Sequence, residues 1–488
     1  MLVILVLLIP LATTLLAASF AWRPWIGWTS AASSAGVLGL GIALCVKTSG
    51  HAAVLAVHGA LRADSLSSFM VVVIGTVSLL ATLFTPRTLR QEIESGVTNA
   101  RYARHYVVLM EIFITCMLLA VLTANLGVLW VSIEATTIAT TFLVSHRRTD
   151  GAFEASWKYV ILCSIGIALA FLGTVLVYFA ELHVGGTHHS ASLDWTSLMA
   201  IAPHLNPDVM RLAFALLVLG YGTKVGLVPM HSWLPDAHSQ APAPVSALMS
   251  GVLLTVAFYA LLRFKAIANL TLGTSYPRAL LIVVGLASLL LASAMLIAQR
   301  DLKRMLAYSS IEHMGLLALG AAAGTPLAIA AVLLHILGHG ITKSVLFLSS
   351  GEIYHLEGTT EIGKISGLLA RRPVLGGIFG FGLMALVGFP PFSLFLSELS
   401  MARAEVDVGL WWVVAITLAC LGVIFGAFAR HARQMLMGAG PSASTGSTST
   451  AGSVALPLIT GLVVCALIGV VAWPLQSLLH SAAHVVVP

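Results

Sequence analysis

Apolar residues run through this chain in blocks of about twenty, separated by short connections that carry most of the charge. That is the length an α-helix needs to cross the hydrocarbon core of a bilayer. Such blocks predict about fourteen spans, near 2–21, 26–46, 66–86, 106–123, 124–144, 156–180, 209–230, 241–263, 277–298, 302–322, 325–350, 374–399, 409–430 and 454–477. The first block, MLVILVLLIPLATTLLAASF, has no positive residue ahead of it, so it is expected to be a span and not a cleaved signal. GAGPSASTGSTSTAGS, residues 438–453, has the composition of a flexible linker. The expected fold class is an all-α polytopic membrane protein.

Composition supports that class. Only 9% of the 488 residues are charged and 58% are hydrophobic, where soluble domains carry about 25% charge. A net charge of +6 invites a nucleic-acid reading, but the basic residues lie in short loops, where membrane topology explains them. No nucleic-acid partner is expected; the partner is the lipid bilayer. Cys45, Cys116, Cys163, Cys420 and Cys465 all fall in apolar blocks with no CxxC pair, which argues against zinc, iron–sulfur ligation and a disulfide framework. No flavin or haem motif and no nucleophile triad is visible, so no metal or cofactor is expected in this chain. GGIFGFG, with no strand before it, reads as close helix packing rather than a nucleotide loop. HVGGTHHS reads as a solvated outer loop, with weak metal binding as the rival.

Loops after odd-numbered spans hold 15 Lys and Arg, and loops after even-numbered spans hold 7. The positive-inside rule puts the odd loops in the cytoplasm and both termini outside.

Against this apolar background stand Lys158, Lys224, Lys343, Glu134 and Glu398. An ionisable group in hydrocarbon costs roughly 2.5–3.5 kcal/mol on insertion scales, so its repetition points to a path for protons or ions. Two spans are interrupted beside such charges. The seventh has Pro229 five residues after Lys224, and the twelfth has Pro390 and Pro391 shortly before Glu398. Proline removes a backbone donor and clashes one turn back. Non-helical backbone at membrane depth is tolerated only against protein or a water-filled cavity. Broken helices in both halves of a chain point to an inverted-repeat transporter with its ion path at the breaks; ordinary proline kinks are the alternative.

The eleventh span adds HILGHGITK, which sets His335, His339 and Lys343 on one helix face over roughly 12 Å. Histidine titrates near neutral pH and can relay a proton. A zinc site is the rival reading, but no carboxylate is placed locally as a third ligand and Lys343 would repel a cation.

TKVGLVPMHSWLPDAHSQAPAPVSALMSG, RDLKRMLAYSSIEHMG, HGITKSVLFLSSGEIYH and GFPPFSLFLSE resemble the antiporter-like membrane subunits of respiratory complex I, Mrp antiporters and membrane-bound hydrogenases. NLGVLWVSIEATTIATTFLV and EASWKYVILCSIGIALA look most like hydrogenase-4 component F and its formate hydrogenlyase relatives. The resemblance implies an antiporter-like fold with two inverted repeats. The expected organisation is a three-helix segment (1–104), repeats at 105–263 and 277–433, the linker at 438–453 and a last span at 454–477. It also implies roles. Glu134 and Lys224 match a pair that gates one half-channel, His335, His339 and Lys343 a central relay, and Glu398 the terminal residue of the twelfth helix.

Thr255 stands where several complex I members carry a lysine, and a threonine hydroxyl cannot hold a proton at pH 7. Conduction across the middle is in doubt there unless water bridges it. Lys158, four residues after Glu154, is a secondary position that can equally form a local helix pair. His231 and Asp236, after the first break, are secondary positions too. RRTDGAFEASWK reads as a solvated charged loop, with contact to a partner subunit as the alternative.

The implied function is a proton-translocating subunit of a hydrogenase-4 or formate hydrogenlyase-type oxidoreductase complex. Nickel–iron and iron–sulfur centres are expected in partner subunits, membrane-bound and hydrophilic, and sodium is an alternative to the proton. Membership of complex I or an Mrp assembly, or a non-conducting membrane anchor, are the other readings.

Overall fold

The computed structural model describes residues 1–49, 52–184, 192–438 and 452–487. HVGGTHHS from residue 185 on, and residues 439–451 of the expected linker, lie outside the described residues.

Every predicted block forms helix. The first six are α1 (Leu2–Ser19), α2 (Pro24–Thr48), α3 (Ser65–Glu94), α4 (Ala100–Leu122), α5 (Leu126–Val144) and α6 (Asp150–Leu182). After a short surface helix α7 (Trp195–Ile201), the seventh block is split into α8 (Pro207–Val225) and α9 (Trp233–Gln240). The eighth is α10 (Ala243–Leu248), a π-helical turn (Met249–Leu253) and α11 (Leu254–Leu272). Then come α12 (Ser275–Ile297), α13 (Leu302–Ala323) and α14 (Pro326–Glu357). A one-turn α15 (Leu368–Arg371) leads into the twelfth block, split into α16 (Pro373–Leu386) and α17 (Ser393–Asp407). α18 (Trp411–Leu436), α19 (Gly452–Val470) and α20 (Trp473–Val486) complete the chain.

Among the described residues ten helices are long and apolar enough to cross a membrane, or eleven if the last bent pair counts as one. α8, α13, α16 and α17 are not among the ten. They are shortened by the breaks or diluted by ionisable residues; three of them carry candidate groups, Lys224 on α8, His313 on α13 and Glu398 on α17.

The fold is all-α apart from one short antiparallel hairpin, Val54–Ala56 with Leu61–Ala63, between α2 and α3. Some expected bounds and loop charges need correction. The eighth span runs on to Leu272 instead of ending near 263, because Arg263 and Lys265 are buried in the bundle. Lys303 is buried too and donates to the Ala241 carbonyl at 2.6 Å. These three were counted as loop charges; without them the basic asymmetry keeps its direction. The last span ends at Val470, and α20 turns away by 79° to pack on α3 and α14.

Helix ends follow local rules. Asn125 caps α5 by accepting from Gly127 N and Val128 N, and Thr325 with Pro326 opens α14. The apolar stretches of α10–α11 and of α14 are buried among other helices. With little hydrophobic force between helices in lipid, small residues set their approach. Gly220 of α8 lies so close to α6 that a Cβ would collide with the Ala170 nitrogen. This seam carries Lys224, one turn further along α8, onto the inner face of α6.

A buried ion pair ties the hairpin end to the core. Asp64 caps α3 through Ser67 N and accepts from Arg263 Nη2 at 2.8 and 2.7 Å. Arg263 also donates to Tyr259 and lies over the Trp195 ring. Burial alone would push the Asp64 carboxyl up, but the Arg263 guanidinium and the Ser67 N–H hold it below the usual carboxylate range. A depressed folded pKa gives stability that is present above the unfolded value of about 3.9 and lost as pH falls through the folded one. Asp64→Asn is expected to cost on the order of 3–5 kcal/mol by leaving Arg263 buried and unpaired. A lower melting temperature in detergent is the expected reading, and an unchanged one would remove the pair from the account of stability.

Candidate functional site

In the first half, α8 ends one residue past Lys224, with Gly226 left-handed (φ 86°). The break at 226–232 is tolerated because its backbone is satisfied. Trp233 Nε1 donates to the Thr223 carbonyl at 2.8 Å, and Val228 N donates to Ser288 Oγ at 3.0 Å. Lys224 is fully buried, and its ammonium donates to Thr137 Oγ1 at 2.9 Å and Tyr159 Oη at 2.6 Å. Thr137 Oγ1 in turn donates to Glu134 Oε2 at 3.1 Å. Lys224 and Glu134 therefore meet through one hydroxyl whose donor and acceptor roles agree along the line. Glu134 is half-buried and also accepts from Ser164 at 3.4 Å.

In the second half, α14 presents His335, His339 and Lys343, all fully buried. Lys343 Nζ donates to the Leu306 carbonyl at 2.7 Å and to Ser309 Oγ. His335 Nδ1 lies 2.9 Å from Ser397 Oγ, the residue before Glu398 on α17. His335 Nε2 lies 3.0 Å from His313 Nδ1 on α13, and the His313 and His339 rings are 4.8 Å apart. Glu312, buried beside His313, is within electrostatic reach of both Lys343 and Glu398. Glu398 is half-buried, and its carboxylate packs on the second break: a Cβ on Gly388 would come 2.5 Å from Glu398 Oε2. Gly388 also has φ of 69°, so it serves both the turn and the carboxylate. Gly388→Ala is expected to push Glu398 out of this position and lower transport severalfold while assembly survives, measured as turnover-linked proton movement in vesicles.

Between the halves, Thr255 is buried but donates to the Val252 carbonyl of its own helix at 2.9 Å. The neighbouring π-helical turn links α13 through Ser250 and Ser310 hydroxyls 2.8 Å apart, and the Ser250 backbone lies beside the His339 ring. His238 of α9 is fully buried, stacks on Phe347, and neither ring nitrogen has a hydrogen-bond partner among the described residues. It is near enough to Lys343 and Lys303 to feel their charge.

The secondary positions fall elsewhere. Lys158 is half exposed, two turns into α6, where Glu154 (2.6 Å) and Asp236 (3.2 Å) hold it. Asp236 also accepts from Arg304. His231 is half-buried in the first break, near the Pro229 carbonyl.

The sequence reading missed Thr137, Tyr159, Ser397, His238, Glu312 and His313. Glu312 and His313 carried the same signal as the residues it chose, ionisable groups in an apolar block. The hydroxyls had none, since serine and threonine are ordinary in membrane helices. The sequence reading found no carboxylate as a third metal ligand; the structure brings in an imidazole, His313, instead. Ligand atoms of His313, His335 and His339 lie within 4.8 Å of one another, the one such convergence among the described residues. These three could hold a divalent ion, with the Lys343 charge opposing it.

A profile of the family described as NADH:quinone oxidoreductase/Mrp antiporter, transmembrane, matches residues 123–424. Hydrogenase-4 component F homolog of Methylacidiphilum infernorum is 41% identical over 335 residues, 69% of this chain and 70% of the relative. NADH-quinone oxidoreductase subunit M of Rickettsia typhi is 29% identical over 339 residues, 69% of this chain and 65% of the relative. A chain of the membrane-bound sulfane sulfur reductase, an archaeal respiratory membrane complex, is 25% identical, with a TM-score of 0.86 over all of this chain and 97% of its own.

Proposed function

We propose, since this chain belongs to the NADH:quinone oxidoreductase/Mrp antiporter transmembrane family, that it moves protons as an antiporter-like subunit of a hydrogenase-4 or formate hydrogenlyase-type complex in a prokaryotic plasma membrane. The observation that carries this reading is the Lys224–Thr137–Glu134 line at one break together with the linked imidazoles that reach Ser397, beside Glu398, at the other. A proton on Lys224 can pass to Glu134 through one hydroxyl, the ammonium donating as Thr137 donates onward. On the second side the order is Lys343, His339, His313, His335, Ser397 and Glu398, with Glu312 beside it as a further carboxyl. The ring nitrogens of His238, unpartnered among the described residues, call for internal water. His238 and water then offer the crossing that Thr255 does not.

Energy would come from electron transfer in partner subunits holding nickel–iron and iron–sulfur centres. The similarity to a hydrogenase-4 component F homolog favours that branch; the similarity to an NADH-quinone oxidoreductase subunit keeps complex I as the second reading. Gentle co-purification from native membranes with mass spectrometry separates them. Hydrogenase-like large and iron–sulfur subunits are expected, whereas NADH-oxidising subunits, or only small antiporter subunits, would move the chain to complex I or Mrp.

Thr137→Val keeps the shape of the first relay and removes its hydroxyl. Transport is expected to fall about tenfold or more, as when one well-placed proton-transfer group is lost. Unchanged proton movement in vesicles would show that Lys224 and Glu134 communicate by another route.

A further inference from the structure

A groove of about 900 Å³ lies outside the relay, between α4, α5 and α6, at the end where α4 begins and α5 stops. Its walls are apolar and aromatic, with Phe142, Phe153 and Trp157 exposed toward the surroundings. Its rim is basic: Arg101, His105 and Arg148 face it, and no carboxylate lines it.

These charges are not spent inside the protein. The neighbouring Arg147 pairs with Glu92 at 3.0 Å, and Lys158 takes Glu154 and Asp236. Arg101 and Arg148 make no ion pair among the described residues. Arg148 is also held in place. It sits in the left-handed region (φ 56°) that closes the turn after α5, and its guanidinium lies 3.4 Å from the Tyr102 ring centre. Stacking of this kind leaves the planar donors facing outward. A cationic rim above an apolar groove, at the level where spans emerge from the bilayer, matches a molecule with an anionic head and hydrocarbon tails.

We propose that this groove is a binding site for an anionic phospholipid, its phosphate held by Arg101 and Arg148 and one acyl chain lying along Phe142, Phe153 and Trp157. Basic pockets between membrane helices recognise lipid headgroups in this way, and the volume is that of a small-molecule site. The site gives RRTDGAFEASWK a role: its second arginine recognises a headgroup, and Phe153 and Trp157 hold the tail.

The test is native mass spectrometry of the full-length protein in mixed micelles with equal amounts of dioleoyl phosphatidylglycerol and dioleoyl phosphatidylcholine. One phosphatidylglycerol is expected to be retained about tenfold or more over phosphatidylcholine. The preference should vanish in the Arg101→Gln/Arg148→Gln double variant, whose exposed substitutions leave the melting temperature unchanged without lipid. Equal retention of the two lipids, or a preference that survives in the variant, overturns the proposal. In the assembled complex, a photo-reactive side chain replacing Trp157 should cross-link to lipid. Cross-linking to another protein subunit would make the groove a subunit interface and overturn the lipid assignment.

Discussion

Lys224→Met is expected to abolish proton movement while leaving the complex assembled and its electron transfer running. Methionine matches the length of the lysine stem but offers no proton. The ammonium is fully buried and has two hydroxyl partners and no carboxylate in contact, so its removal leaves Thr137 and Tyr159 able to bond elsewhere. Tyr159 already bonds Thr140 at 2.6 Å, and Thr137 keeps Glu134. Replacing a buried charged group by an apolar residue of similar volume is often neutral, or stabilising by about 1–4 kcal/mol. A loss of transport in Lys224→Met would therefore not be a folding defect. Turnover and vesicle acidification measured on the same preparation separate the two. If acidification persisted at the wild-type rate, Lys224 would be a structural charge, and the anchor reading would gain.

His339→Leu is expected to be nearly as damaging, for a different reason. His339 sits between the π-helical turn of the eighth span and the His313–His335 pair. Leucine fills similar space and removes the ring nitrogens that stand beside the Ser250 backbone and His313. Transport is expected to drop to background with Lys224, Thr137 and Glu134 intact. The half-reaction on the first side should survive, seen as proton binding without net transfer. Wild-type transport in His339→Leu would mean that the two halves do not communicate through α14.

Much of this was legible in the sequence because a membrane makes polarity expensive. Each apolar block became a helix, and Pro229 and Pro390–Pro391 marked both breaks. Lys224, His335, His339 and Lys343 stood out because no apolar helix carries them without cause. Lys158 stood out for the same reason, and the local helix pair with Glu154 offered as its other reading is formed; hydropathy could not show Asp236 arriving from beyond the break. Arg263 and Lys303 misled, counted as loop charges while Asp64 and the Ala241 carbonyl waited in the core. Connecting groups were hardest to see. Thr137 becomes a bridge only when α5, α6 and α8 converge, and His313 becomes a third imidazole only when α13 lies against α14. Such partnerships are set by packing between distant segments.

The most direct measurement is turnover-driven acidification of vesicles holding the intact complex, followed with a pH-sensitive dye and supplied with the electron donor that its co-purified subunits dictate. The account predicts acidification that tracks electron transfer, collapses with a protonophore and does not depend on sodium. Electron transfer at full rate with no pH change, or a change that appears only when sodium is present, would contradict it.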